Sequence, residues 1–229
     1  MNDIIIAITA IIGTVLAYLF SRWLYKRVYT PLLLPVAVST FIIVIFLIAT
    51  NISYDTYMIG GEWIHRLLGP AVVALAYPLY QNRDVLKELA FPIVVGTFIG
   101  AVVGIVSGVW MAKLVRFEEE LVFSITPKSV TTPVAMDISE SLGGIDTLSA
   151  VFVMVAGIAG AMFGTYVFKW FGLKEMIGRG VGYGSASHAI GTSKALENGP
   201  LEGSISTIAM ILSAIFVSII TPYLIQMMM

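Results

Sequence analysis

The chain alternates long apolar runs with short polar connections. Six runs carry no charged residue, and most are long enough to cross a bilayer as a helix, which takes about 17 to 25 residues. A helix bonds its backbone groups within its own segment, and the alternating pattern of barrel strands is missing, so the pattern predicts a helical bundle. The runs are Ile4–Phe20, Pro31–Thr50, Leu67–Asn82, Leu89–Ala112, Thr147–Phe168 and Gly203–Met229.

The composition also indicates a protein that lies in a membrane. Apolar residues make up 58% of the 229 residues and charged residues 12%, whereas an average soluble domain has about 25% charged residues. We therefore expect an all-α, polytopic transmembrane bundle of seven to eight elements, with residues 1–229 forming a single domain in the cell membrane. The net charge of −1 argues against a nucleic-acid partner, because such binding needs a clustered basic surface.

Three segments depart from the continuous apolar pattern and are predicted to be broken or re-entrant. Proline removes a backbone donor and collides with the preceding turn, and broken backbone at membrane depth survives only inside protein or beside a water-filled cavity. We therefore expect these segments inside the bundle. They are Leu67–Asn82 with Pro70 and Pro78, Leu121–Met136 with Pro127 and Pro133, and the small-residue segment Gly180–Ala195 with Gly184 and Gly191.

Charges in the connections predict the orientation. Asp3 precedes the first run and basic residues follow it, so the N terminus is predicted outside. The acidic stretch 137–146 suits the outside and the basic stretch 169–179 suits the cytoplasm. With the N terminus outside, both assignments hold only if one of the elements between residues 67 and 136 does not cross the membrane. We predict that Leu121–Met136 is this element, a hairpin with a polar tip, and Leu67–Asn82 is the alternative.

Two broken segments near the midplane are how many secondary transporters build a substrate site, often within an inverted repeat. In the first segment, Lys128 is accompanied by the hydroxyls of Ser129, Thr131 and Thr132. An ionisable residue within the membrane usually marks a pathway for ions or substrate. A cation with hydroxyls and helix N-termini suits a small carboxylate. The alternative is that Lys128 extends to the interface and anchors a helix end.

The second segment contains His188 among small and hydroxyl-bearing residues. Histidine titrates near neutrality, which suits proton coupling. The alternative is a hydrogen bond between helices without a role in transport. Asp137, just after the first broken segment, is the other candidate for proton coupling. Ser185, Ser187 and Thr192 complete the predicted substrate-binding residues.

Enzyme signatures are missing from the sequence. It has no dinucleotide-binding or phosphate-binding glycine motif, and no nucleophile elbow surrounds the serines beside His188. There is no cysteine, and the two histidines have no metal-ligand spacing. We therefore expect no catalytic residue, no metal site and no cofactor.

The broken segments resemble the LrgB/CidB family of bacterial membrane proteins. The resemblance covers nearly the whole chain, and its motifs together are far more specific than any one alone. They are Asn51–Tyr54, Gly69–Tyr80, Pro127–Pro133 with Ser141–Gly144, and Gly184–Thr192 with Lys194–Ala195.

The resemblance implies two functions, which the sequence leaves open. Bacterial members are described as holin-like or antiholin-like and act with a small LrgA- or CidA-type membrane partner on murein hydrolase activity and lysis. A plant chloroplast member, fused to a partner-like domain, exchanges glycolate and glycerate, and some bacterial relatives are linked to pyruvate uptake. We favour a proton-linked carrier of small monocarboxylates, because polar residues gather at two breaks rather than along a water-facing stripe. The alternative is a holin-like pore or lysis regulator. A homodimer is expected from the general frequency of two-fold assemblies.

Overall fold

The computed structural model describes residues 2–28, 30, 33–67, 70, 73–74 and 76–229. These residues form helices and connecting turns without a β-strand, which confirms the all-α class. Four of the described helices are long and apolar enough to cross a bilayer, as expected of a polytopic membrane protein. The chain divides into two compact units, Met1–Ala76 and Tyr77–Met229. The single domain over residues 1–229 stays a prediction.

The first unit contains α1 (Asn2–Val28), α2 (Pro35–Thr50) and α3 (Tyr54–Arg66). The hydroxyls of Thr14 and Tyr57 join α1 to α3 at 2.9 Å. Gly60 allows the close approach, because a β-carbon there would overlap the backbone of Ala7. Many large apolar side chains of α1 and α2 are exposed, which suits helices that face lipid.

The second unit begins with two short helices, α4 (Ala76–Gln81) and α5 (Arg83–Glu88). It continues with α6 (Ala90–Leu114), α7 (Glu119–Ile125), α8 (Thr132–Leu142), α9 (Asp146–Trp170), α10 (Met176–Asn198) and α11 (Pro200–Met228). The buried apolar residues of α6 pack against those of α11 and against α7 and α8. The predicted break over Leu67–Asn82 falls partly outside the described residues: Pro70 lies between undescribed neighbours, and Pro78 belongs to α4.

Residues 119–142 form a helical hairpin, called here hairpin 1, which is the form predicted for Leu121–Met136. Its arms are α7 and α8, and its tip is the turn 126–131. The far end of α8 returns to α7, because the backbone N–H of Ile145 donates to the Ser124 hydroxyl over 2.7 Å. Pro127 lies in the tip, and Pro133 lies in the first turn of α8, where a missing N–H costs nothing.

Helix α10 is a second hairpin, called here hairpin 2, with arms 176–187 and 189–198. They meet at His188, whose φ of 41° and ψ of −132° are not helical. Gly191 of the second arm packs against the backbone of Tyr183 in the first. The open end is closed by Arg179 and Asn198, one from each arm, which both bond Glu202 of α11.

The position of this break corrects the sequence interpretation. Gly184 and Gly191 were expected to interrupt the helix, but the interruption is at His188 and the two glycines lie inside the arms. A β-carbon at Gly184 would overlap the carbonyl oxygen of Ser206, and one at Gly191 would lie 2.5 Å from that of Tyr183. Their small size serves close packing rather than a change of backbone direction.

The second unit contains an internal repeat. Helices α6 and α9 have 25 residues each, and each is followed by a hairpin after a short connection. The same spacing separates Ala90 from Asp146 and Leu114 from Trp170. The sequence analysis left such a repeat only as a possibility, because no repeat is visible in the residues themselves.

The two copies of the repeat run in opposite directions. Hairpin 2 contacts the first half of α6, at Gly96 and Gly100, but it contacts the second half of α9, at Gly160 and Gly164. Helices α6 and α9 are therefore antiparallel along the same hairpin. Hairpin 1 contacts the second half of α6, at Gly104 and Gly108, and the beginning of α9, at Ser149. The two hairpins therefore approach these helices from opposite ends.

Candidate functional site

A row of glycines on α6 contacts the turn of hairpin 1 and the first arm of hairpin 2. The spacing of four residues places these glycines on one face of the helix. Without side chains, this face lets the hairpins approach the α6 backbone, as small residues do in membrane helix packing. The row consists of Gly96, Gly100, Gly104 and Gly108.

Two serines, one from each hairpin, contact successive turns of this glycine face. A β-carbon at Gly100 would lie 3.0 Å from the hydroxyl of Ser185 in hairpin 2. One at Gly104 would lie 3.2 Å from the hydroxyl of Ser129 in hairpin 1. Because Gly100 and Gly104 are about one helical turn apart, near 5.4 Å along the axis, the two hairpins come together at this point.

Lys128 points from the tip of hairpin 1 to the middle of α6. Its ammonium donates to the carbonyl oxygen of Gly104 over 2.9 Å, and a side chain at Gly108 would overlap it. The residue is half-buried. An ammonium has three donors, so this bond uses one of them. The side chain extends toward the middle of α6.

Four hydroxyls near the tips are free to bind. In the part of the chain that the structure describes, they have no hydrogen-bond partner, although all four side chains are buried or half-buried. Free hydroxyl donors beside an ammonium form a set that suits an anion. These hydroxyls belong to Ser129, Thr131, Thr132 and Ser187.

His188 forms the tip of hairpin 2 and is only 4% exposed. Its ring lies 3.0 Å from the carbonyl oxygen of Val153, and because a carbonyl only accepts, Nε2 carries the proton and donates. A β-carbon at Gly157 would lie 2.6 Å from the ring, so this glycine makes room for it. The positive φ is a conformation that non-glycine residues rarely adopt and that clusters at functional sites.

Other predicted residues have different environments. Ser185 donates to the carbonyl oxygen of Val181 over 2.6 Å. Thr192 donates to that of His188 over 2.9 Å and lies 2.9 Å from the Ser206 hydroxyl. These two side chains therefore hold the hairpin backbone. Asp137 is exposed on α8, away from the tip of hairpin 1.

The sequence analysis missed a buried carboxylate and its ion pair. Glu202 is 1% exposed, and its carboxylate accepts from Arg179 at 2.6 Å and from Asn198 at 2.6 Å. The charges were visible in the sequence, but their pairing depends on the reversal of α10 at His188. The glycine row on α6 was also missed, although its spacing could have been found.

A cavity in the first unit is of a different kind. It has a volume of about 590 Å³, lies in the first unit between α1, α2 and α3, and its described lining contains no charged side chain. Such a cavity offers nothing for an anion. Among the described residues, no group of three His, Cys, Asp or Glu side chains is placed to hold a metal ion.

Comparison with known proteins agrees with this membrane architecture. Residues 14–227 match the LrgB-like family. The chain is 46% identical to YxaC of Bacillus subtilis, over 97% of this chain and 96% of that protein. It is 36% identical to holin-like protein CidB of Staphylococcus epidermidis and 35% identical to that of Staphylococcus aureus, over 98% of each chain. No solved structure matches. The resemblance noted in the sequence is thus confirmed, and this multi-pass membrane protein belongs to the LrgB-like family.

Proposed function

We propose that this protein is a secondary carrier for small monocarboxylates such as pyruvate, glycolate or glycerate. The carboxylate binds between the two hairpins at the glycine face of α6. The observation that carries the proposal is the position of Lys128, whose ammonium reaches the middle of α6 from the same turn that holds the free hydroxyls of Ser129 and Thr131.

The chemistry of the tips suits one small carboxylate. The remaining donors of the Lys128 ammonium and the hydroxyls of Ser129, Thr131 and Thr132 give charge-assisted hydrogen bonds, which are stronger than neutral ones. Ser187, from the other hairpin, offers a further hydroxyl for a 2-hydroxy or 2-oxo group. Contacts from both hairpins make binding depend on their joint arrangement, as a carrier requires.

The inverted repeat supports alternating access. Transporters of this type rock one repeat against the other around a site near the midplane. Hairpin 2 opens toward the basic stretch 169–179, so we assign that end to the cytoplasm by the positive-inside rule. Hairpin 1 is then the element that opens outward. The charges around α1 separately favour an N terminus on the outside.

His188 is the proposed proton-coupling residue. Its ring is buried at the tip and its proton is bonded to the carbonyl oxygen of Val153. A second proton on the ring would add a charge beside the substrate site, which favours an anion there. Asp137 is the second candidate, and its exposure makes it suited to exchange protons with water rather than to contact the solute.

The names of the relatives favour a second candidate function. CidB of the two staphylococci is named a holin-like protein. On that account the chain forms or regulates a pore, together with an LrgA- or CidA-type partner or as a homodimer. A pore needs no specific solute site, so Lys128 and the tip hydroxyls would then serve only packing.

Uptake into proteoliposomes tests the proposal. Vesicles holding this chain alone, with a trapped dye of larger size, are given labelled pyruvate, glycolate or glycerate with and without a pH gradient. Saturable uptake of one acid with the dye retained supports a carrier. Loss of the dye without saturable uptake favours the pore. If neither flux occurs until an LrgA- or CidA-type protein is added, transport by this chain alone is wrong.

A further inference from the structure

A small polar cavity lies beside hairpin 2, outside the contacts of the two tips. Its volume is about 170 Å³, which is room for about five water molecules at about 30 Å³ each. The residues around it come from the end of α9 and from both arms of hairpin 2 near their open end. A three-carbon acid fits this volume with water to spare.

Two cations line the cavity. Lys169 of α9 makes no ion pair with any residue that the structure describes. Arg179 uses Nε and one terminal nitrogen for Glu202, at 3.1 and 2.6 Å, which leaves its other terminal nitrogen available. Its side chain is 32% exposed, whereas Glu202 is 1% exposed. The positive charge therefore faces the cavity and the carboxylate is turned away from it.

Neutral hydrogen-bonding groups complete the lining. The Tyr183 and Thr165 hydroxyls are 3.0 Å apart and both line the cavity. Asn198 donates its amide N–H to Glu202. A cavity with two cations, two hydroxyls and no lining carboxylate is built for an anion rather than for a cation or an apolar group.

The cavity lies close to one of the proposed binding residues along the chain. Tyr183, which lines the cavity, is one helical turn, about 5.4 Å, before Ser187 on the same arm. Both residues pack tightly against glycines of α9, Gly164 and Gly160. A solute would therefore pass from the cavity to Ser187 only when hairpin 2 moves away from α9.

We propose that Lys169 and Arg179 form a second, peripheral site that holds the carboxylate of the same small acid before it reaches Lys128. Its assignment as a station on the transport path rests on the proposed function. The binding itself does not, because it follows from the charges of the cavity.

Direct binding of labelled pyruvate to the full chain in phosphatidylcholine nanodiscs tests the site. Lys128→Ala removes the main cation of the central site and leaves the cavity untouched. We expect this variant to retain one weaker pyruvate site. Adding Lys169→Gln should weaken that site at least tenfold, whereas adding Lys174→Gln, an exposed lysine outside the cavity lining, should leave it unchanged. Size-exclusion profiles show whether each variant is folded.

Several outcomes would overturn the site. They are the absence of pyruvate binding in a folded Lys128→Ala protein, residual binding that Lys169→Gln does not change, and loss of that binding when phosphatidylglycerol is included in the nanodiscs. The last result would assign the cavity to a lipid phosphate. If the wild type transports no acid but binds pyruvate through Lys169, the carrier proposal fails and this site stands. If transport occurs, Lys169→Gln should raise the KM severalfold with little change in maximal rate.

Discussion

The ammonium of Lys128 donates a hydrogen bond of 2.9 Å to the carbonyl oxygen of Gly104, in the middle of α6. In an α-helix this carbonyl faces the residue four positions later, which is Gly108. Because Gly108 has no side chain, the ammonium reaches a backbone oxygen that any other residue would cover. The glycine row therefore admits a charge to the interior and provides it with a partner that a carboxylate can replace.

Replacing Lys128 with alanine should abolish most monocarboxylate uptake. Hydrogen bonds to charged groups contribute about 1.5 to 3 kcal/mol, so the apparent affinity should fall by about 10- to 100-fold. Lys113→Ala is the matched control, since this exposed lysine at the end of α6 lies away from the tips. Uptake into proteoliposomes measures both. Unchanged uptake by a folded Lys128→Ala protein would rule out the anion site.

Gly160→Ala should destabilise the protein by overpacking. The new methyl group would overlap the Ser187 hydroxyl, and such overpacking costs about 1 to 3 kcal/mol. Gly13→Ala on α1 meets no atom within 4 Å. That control should be neutral or stabilising, since alanine favours a helix over glycine by about 0.5 to 1 kcal/mol. Thermal unfolding in detergent compares the two variants, and equal Tm values would show that hairpin 2 does not pack on α9 in this way.

A comparison of His188→Ala with His188→Gly should separate the effect of the imidazole ring from the effect of the backbone conformation. Both remove the ring, so both should remove the pH dependence of uptake. Only glycine accepts the positive φ without strain, so His188→Gly should be more stable than His188→Ala by about 1 kcal/mol. Uptake at several pH values and unfolding in detergent provide the two measurements. If pH dependence persists in both variants, coupling lies elsewhere, with Asp137 as the next candidate.

Arg179→Ala should loosen the open end of hairpin 2. It leaves the carboxylate of Glu202 buried and still bonded to Asn198, and breaking a buried pair costs about 3 to 5 kcal/mol. Because Arg179 is 32% exposed, we expect the lower end of that range. Lys87→Ala, which removes an exposed pair with Asp84 at 3.7 Å, should cost less than about 1 kcal/mol. Equal losses of unfolding free energy would contradict the role of this ion pair.

Much of the fold could be predicted because the long apolar runs of the sequence correspond directly to helices. The runs Leu89–Ala112, Thr147–Phe168 and Gly203–Met229 became α6, α9 and α11, since a membrane helix needs only length and hydrophobicity. The tip of hairpin 1 was also predictable, because Pro127 and Pro133 end one helix and begin the next on either side of Lys128.

The site could be predicted only in part, because it depends on contacts between distant residues. His188 was expected to lie in a broken segment. Because small residues stand on both sides of it, the break was predicted at Gly184 and Gly191 instead. No local signal assigns a positive φ to a histidine. The pairing of Arg179 with Glu202 follows from the reversal at this residue, so it could not be read from the spacing of the charges.

The central claim is a carboxylate site between the two hairpins, and cross-linking the hairpins tests it most directly. The chain has no cysteine, so a Ser129→Cys/Ser185→Cys variant carries thiols only at the two hairpin contacts on Gly104 and Gly100. In vesicles, Hg²⁺ should bridge the two thiols and stop uptake of labelled pyruvate until excess thiol is added. Saturating pyruvate should prevent this bridging. Either single variant is the control. Bridging that pyruvate does not affect, or transport that continues while the tips are bridged, would contradict a carboxylate site between the hairpins.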